Sequence, residues 1–214
     1  SFTYDGKPSA ALLKSWSVTR AATKLDEHRT RHVLSYVDGA TGLVARCTAI
    51  EYSDLPAVEW VLEFHNTGGA NTPILEQIMP LDLRTTHSSP QCWVLHYSLG
   101  DGNSAASFAP VEKPLKPDDP APVVLAPKGG RSSDGCLPFF NLQADDGGQA
   151  IALGWSGQWE ARFRQVDQTT LTMQAGQQLT HLSLRSGETI RTPRVLMAFW
   201  QGKDSLRGNN LLRR

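Results

Sequence analysis

The sequence predicts an all-β fold, and three observations support that prediction. Apolar and polar residues alternate with a period of two in several segments, turn-forming residues recur at short intervals, and no segment sustains a helical period. Many short strands at this spacing are typical of a sandwich or a barrel. We therefore expect residues 1–214 to form a single large β-domain.

Composition narrows the class of protein. Hydrophobic residues make up 40% of the 214 residues and charged residues 20%, as in a soluble globular domain. Lys plus Arg equals Asp plus Glu, at 21 each, so neither nucleic acid nor an anionic membrane is an expected partner. The longest apolar run, around residues 195–200, is too short to cross a membrane.

The N-terminus and the cysteines bear on location and on metal binding. The N-terminus has no basic start followed by an apolar core, so no signal peptide is visible and the compartment is unknown. Cys47, Cys92 and Cys136 are an odd number without close spacing, which argues against a zinc cluster and a disulfide framework. We expect neither a metal nor a cofactor.

The first half of the chain shows a hairpin and a half-buried strand. Residues 33–37 and 43–52 flank the turn-forming residues 38–42, which predicts a hairpin with a five-residue loop. In residues 58–64 the even positions are apolar, which predicts a strand with one buried face. The turn at residues 66–69 should end this strand.

The second half predicts more strands and one irregular loop. Residues 151–155 and 159–163 alternate on either side of Ser156–Gln158, which predicts a second hairpin. Six prolines between Pro110 and Pro127 predict an extended surface loop, because proline removes donors from the ladder. Further strands are expected at 169–174, 178–184 and 195–200, with turns at 175–176 and 186–188.

No catalytic signature is evident among the carboxylates, histidines and serines. Glycoside hydrolysis usually needs two carboxylates across the scissile bond, and Glu59 and Glu63 are expected on a solvated strand face instead. The histidines lack metal-ligand spacing, and Ser132 and Ser133 lack a nucleophile-elbow motif. The remaining carboxylate candidates are Asp82, Asp101, Asp134 and Glu160.

Two loops and two tryptophans have the composition of a carbohydrate site. In Gly129–Gly135 the glycines permit close approach, while Arg, Ser and Asp offer donors and acceptors to hydroxyl groups; a hydrated turn is equally consistent. Gly100–Ser104 reads similarly, with a simple turn favoured. Trp155 and Trp159 could stack on a sugar ring, although burial is the commoner use of tryptophan.

Five segments resemble the N-terminal domain of glycoside hydrolase family 36, the α-galactosidase or melibiase type. The resemblance covers most of the chain in order, apart from the proline-rich loop. The segments are SFTYDGKPS at the start, DLPAVEWVLEFHNTG (54–68), GGRSSDGCLPFFNL (129–142), IALGWSGQWEARF (151–163) and LRSGETIRTPRVLMAFWQGKDSLRGNNLLRR (184–214).

The resemblance implies a large antiparallel β-supersandwich similar to the galactose mutarotase-like fold. In the family this domain precedes a (β/α)8 barrel that carries both catalytic aspartates of a retaining mechanism, so such a barrel is expected after residue 214 and is absent here. The barrel and an α-galactoside are the implied partners, and a homo-oligomer is one implied assembly. Loops of the domain are expected at the rim of the sugar site, with these carriers: Arg131, Ser132, Ser133, Asp134, Asp101 and Asn103.

Two alternative functions remain open at this stage. The chain could be an autonomous carbohydrate-binding module, in which case Trp155 or Asp134 would be needed for sugar binding. It could also be an aldose epimerase, which needs a general acid and a general base in one cleft. His96 and Glu160 are the candidates for that pair, although no motif joins them.

Overall fold

The computed structural model describes residues 1–213, and it confirms the all-β fold class. The strands are β1 Thr3–Tyr4, β2 Lys7–Pro8, β3 Ser17–Lys24, β4 Arg29–Val37, β5 Leu43–Tyr52, β6 Ala57–Asn66, β7 Leu75–Glu76, β8 Leu81–Thr86, β9 Val94–Leu99, β10 Pro110–Pro114, β11 Val123–Leu125, β12 Cys136–Ala144, β13 Gly147–Gly154, β14 Trp159–Gln165, β15 Thr170–Gln177, β16 His181–Leu182, β17 Thr189–Arg191 and β18 Arg194–Gln201. Two short helices, α1 Ser9–Leu12 and α2 Leu206–Leu211, were not expected, because so few residues cannot establish a helical period.

The chain divides into two compact units, each built from separate segments. Unit 1 comprises residues 1–54, 58–80 and 176–194. It contains the sheet β16-β7-β1-β2 and the strand series β3-β4-β5-β6, with β17 paired to β6. Its core is aromatic at the centre: the ring of Phe2 meets that of Phe64 edge to face, with 5.0 Å between centroids.

Unit 2 comprises residues 55–57, 81–175 and 195–214. It contains the strand series β10-β9-β12-β13-β18 and the sheet β11-β14-β15-β8. Phe140 on β12 contacts Trp159 and Phe163 on β14 at centroid distances of 5.5 and 5.4 Å, and all three side chains are buried. Side chains from two sheets therefore form one apolar core, as in a sandwich.

The first predicted hairpin is confirmed, whereas the second is not a hairpin. β4 pairs with β5, and Val37 lies opposite Val44. β13 and β14 are consecutive, but β13 pairs with β12 and β14 pairs with β11, so residues 155–158 carry the chain from one sheet to another. Alternation predicted both strands correctly but contains no information about their partners.

The proline-rich segment forms two short strands rather than a loop throughout. β10 pairs with β9 and β11 pairs with β14, and each lies at the edge of its sheet. An edge strand leaves one row of backbone groups unpaired, so proline is tolerated there. Residues 110–114 and 123–125 therefore correct the prediction.

Two smaller predictions are also wrong. Residues 175–176 lie inside β15, where a Cβ on Gly176 would collide with the carbonyl oxygen of Ile78. Glu59 is not on a solvated face: its side chain is 20% exposed and pairs with Arg194 at 2.6 Å.

No helix within residues 1–213 has the length and apolar character needed to span a membrane.

Candidate functional site

The two loops singled out by composition lie against each other in unit 2. The N–H of Asp101 donates to the carbonyl oxygen of Ser133 at 2.9 Å. A Cβ on Gly100 would collide with that same carbonyl, so the approach requires glycine. We call residues 100–108 and 128–135 the paired loops.

The first of the paired loops holds its own shape through side-chain hydrogen bonds. Oδ1 of Asp101 accepts the N–H of Asn103 at 2.9 Å and the hydroxyl of Ser107 at 3.3 Å. The Ser107 hydroxyl in turn accepts the N–H groups of Gly102 and Ser104, each at 3.2 Å. The carboxylate of Asp101 is thus engaged in shaping the turn while the residue remains exposed.

The second paired loop closes around Asp134. Its carbonyl oxygen accepts the N–H of Lys128 at 2.9 Å, and its carboxylate pairs with Arg131 at 3.6 Å while packing against Gly129. The Asp134 side chain is only 21% exposed, whereas the Arg131 side chain is 75% exposed. Asp134 therefore stabilises the loop, and Arg131 is the residue that can reach a ligand.

Ser132 and Ser133 differ in how accessible their side chains are to a ligand. The carbonyl oxygen of Ser132 accepts the indole N–H of Trp159 at 2.8 Å, and its buried hydroxyl has no hydrogen-bond partner among residues 1–213. Ser133 is exposed, like Arg131 and Asn103. The structure thus brings all six predicted rim residues into one pair of loops, with different degrees of access.

The two candidate tryptophans have different surroundings. Trp159 is completely buried and packs on Phe140, so burial rather than stacking on a sugar describes this residue. Trp155 is half-buried in the connection between β13 and β14. Of the two candidate tryptophans, only Trp155 keeps part of its ring accessible.

An aromatic residue of the paired loops escaped the sequence analysis. Phe108 is 58% exposed and has a φ of +65°, and its N–H donates to the carbonyl oxygen of Gly100 at 3.4 Å. A bulky residue rarely adopts this backbone conformation, which costs about 1–3 kcal/mol. The available signal was a single aromatic residue in a segment of Gly, Ser and Ala.

The two residues suggested as the acid and base of an epimerase lie in different sheets of unit 2. His96 lies on β9, where Nε2 is 2.8 Å from Gln143 and Nδ1 is 3.4 Å from Glu112. Glu160 lies on β14, in the other sheet of unit 2, and pairs with Arg162 at 2.5 Å. The two candidate residues therefore serve different local contacts.

The described residues form no metal centre, and burial shifts the pKa of one cysteine thiol. Residues 1–213 contain no group of three or more His, Cys, Asp and Glu side chains that could hold a metal ion. Burial raises the pKa of the Cys136 thiol to about 11. At neutral pH this cysteine is thus protonated and a poor nucleophile.

The sequence comparisons find no match for this chain, but its fold matches several solved structures. No family model matches the chain, and no curated protein matches it by sequence. The GH36 (glycoside hydrolase family 36) alpha-galactosidase AgaA from Geobacillus stearothermophilus has a similar structure, with a TM-score of 0.68 and 18% identity over 94% of this chain. An AgaA variant in complex with raffinose gives a TM-score of 0.68 and 20% identity over 97% of this chain.

Two other solved structures give the same result. The alpha-galactosidase from Lactobacillus brevis matches 96% of this chain with a TM-score of 0.68 and 17% identity. The galactosidase domain of the alpha-galactosidase-sucrose kinase AgaSK matches 94% with a TM-score of 0.69 and 14% identity. The chain spans only 28–29% of these proteins. The resemblance predicted from sequence is confirmed as a shared fold with one part of these enzymes.

Proposed function

We propose that this chain is a non-catalytic β-domain of an α-galactosidase-like glycoside hydrolase and packs against a catalytic (β/α)8 barrel. The observation that supports this proposal is the structural match of 94–97% of the chain to 28–29% of several α-galactosidases.

The chemistry of the described carboxylates supports a non-catalytic role. A retaining glycosidase places two carboxyl groups about 5–5.5 Å apart across the bond that it cleaves. Here Asp134 pairs with Arg131, Glu160 with Arg162, and Glu59 with Arg194. Each of these carboxylates is neutralised by an arginine, so the reacting carboxylates would come from the barrel.

The paired loops are the part of this domain that we assign to the rim of the sugar site. Arg131 offers guanidinium donors to sugar hydroxyls, Ser133 and Asn103 offer short polar groups, and Phe108 offers an exposed ring face. The hydrogen bonds within both loops fix them before a ligand binds. Pre-formed contacts of this kind reduce the entropic cost of binding.

The coding sequence beyond Arg214 tests the domain assignment directly. We expect it to encode a (β/α)8 barrel with two aspartates at strand ends, and a stop codon at that point would refute the proposal. The 214-residue chain alone should not hydrolyse raffinose or a chromogenic α-galactoside. Hydrolysis by the chain alone would equally contradict a non-catalytic role.

The rim assignment needs the whole enzyme. Arg131→Ala should raise KM for raffinose about threefold to tenfold with little change in kcat, because the contact is made in both ground and transition states. The matched control is Arg164→Ala, an exposed arginine on β14. Equal kinetics for the two variants would remove the paired loops from the sugar site.

A further inference from the structure

A groove of about 510 Å³ lies in unit 2 between α2 and the strands β9 and β10. This volume falls within the range of about 300–1,000 Å³ typical of ligand sites. The residues that define its chemistry are His96, Glu112, Phe139, Asn141, Asn209 and Arg213. None of them belongs to the paired loops.

The floor of the groove contains an exposed aromatic ring on a central strand. β12 lies between β9 and β13, and its successive side chains point to opposite faces of the sheet. Phe140 therefore enters the core of unit 2, whereas Phe139 lines the groove and is 51% exposed. Phe139 thus presents the face of an aromatic ring to the groove, next to polar residues on either side of it.

The two walls of the groove carry complementary polar groups. Glu112 on β10 is 3.4 Å from the ring of His96, and its side chain is 73% exposed, so its carboxylate can accept hydrogen bonds from a ligand. Asn209 on α2 and Arg213, just beyond its end, both line the opposite wall of the groove. Their amide and guanidinium groups provide donors opposite the Glu112 acceptor.

The α2 wall is fixed by a buried asparagine. Nδ2 of Asn141 donates to the carbonyl oxygen of Ser205 at 2.7 Å and to Oδ1 of Asn209 at 3.3 Å. Oδ1 of Asn141 accepts the indole N–H of Trp200 at 2.8 Å. These contacts hold the wall in place without a ligand, so little ordering is required on binding.

We propose that this groove binds a neutral saccharide, with one pyranose ring over Phe139 and its hydroxyls between Glu112 and the Asn209–Arg213 wall. A pyranose offers an apolar C–H face and a rim of hydroxyls that both donate and accept, which matches the ring and the two walls. The Glu112 carboxylate disfavours an anionic ligand, and Arg213 disfavours a cationic one. The site goes beyond the proposed role at the rim, and binding here does not require the barrel.

Titration of the ¹⁵N-labelled 214-residue chain with melibiose tests the proposal. We expect shifts of the backbone amides of Glu112, Phe139 and Asn209 and a dissociation constant of about 1–10 mM, as for a weak small-ligand site. Phe139→Ala should weaken binding at least tenfold, and Glu112→Gln about threefold. The control Val124→Ala removes an equally exposed strand side chain (50%) from β11 and should change nothing.

Three outcomes would overturn the proposal: no shifts at saturating sugar, shifts confined to the paired loops, or equal binding by Phe139→Ala and Val124→Ala. Each variant must keep the dispersed amide spectrum of the parent chain. Glu112→Gln changes only an exposed carboxylate, so it provides a test even if Phe139→Ala fails to fold. The coding sequence beyond Arg214 does not affect this titration, so the two proposals succeed or fail separately.

Discussion

Asn141→Ala should destabilise unit 2 by about 3–5 kcal/mol. The side chain is 2% exposed and makes three hydrogen bonds, to Ser205, Asn209 and Trp200. Two of the lost bonds cost about 1 kcal/mol each, and the Trp200 indole N–H that is left buried without a partner costs about 1–3 kcal/mol more. The substitution also removes the anchor of α2, which connects stability to the shape of the groove.

Urea unfolding followed by tryptophan fluorescence measures this free energy, and a double-mutant cycle with Trp200→Phe separates the contribution of the indole bond. We expect a coupling of about 1–2 kcal/mol, because Trp200→Phe already removes the donor that Asn141 satisfies. The control Asn210→Ala changes an exposed asparagine of α2 and should stay within about 0.5 kcal/mol. A loss below about 1 kcal/mol for Asn141→Ala, or no coupling, would refute this reasoning.

Three further substitutions test other parts of the structure. Trp159→Phe should cost about 2–3 kcal/mol in urea unfolding, through a small cavity and a lost hydrogen bond, and a cost no larger than that of Trp155→Phe would contradict it. Gly208→Ala should lower the Tm although alanine has the better helix propensity, because the added Cβ would lie 2.6 Å from Nε1 of Trp200. A raised Tm would contradict this prediction. The Cys136 thiol has a folded-state pKa of about 11 against 9.0 unfolded, so its stabilisation is complete below pH 9 and is lost as pH rises from 9 to 11. Unfolding free energies over that range should therefore fall less steeply in Cys136→Ala, and parallel curves would exclude the effect.

The sequence predicted features that depend on nearby residues. The β4–β5 hairpin follows from alternation on either side of one short turn, and register in such a pair is set locally. The strands β13 and β14 were predicted just as well, but β13 pairs with β12 and β14 with β11 rather than with each other. Pairing choices of that kind are made by tertiary packing, which a pattern of period two does not encode.

The candidate sites likewise depend on contacts between residues that are far apart in the sequence. Composition identified both paired loops, yet the hydrogen bond from Asp101 to Ser133 that joins them spans two loops separated along the chain. Alternation alone does not show that Phe140 enters the core while Phe139 stays exposed. That distinction depends on which face of β12 packs against β14, a tertiary contact that alternation within one strand does not encode.

The discontinuous segments of the two units have a consequence for synthesis in the cell. Unit 1 requires residues 176–194, so β17 can pair with β6 only after residues 67–191 have been translated. At roughly 5–20 residues per second, these about 125 residues leave one edge of β6 without β17 for about 6–25 s. Unpaired strand edges invite aggregation, and charged residues along a strand discourage it. Glu63 on β6 lies opposite Arg191 of β17, so the edge that is paired last carries a charged residue of the kind that discourages association with another strand.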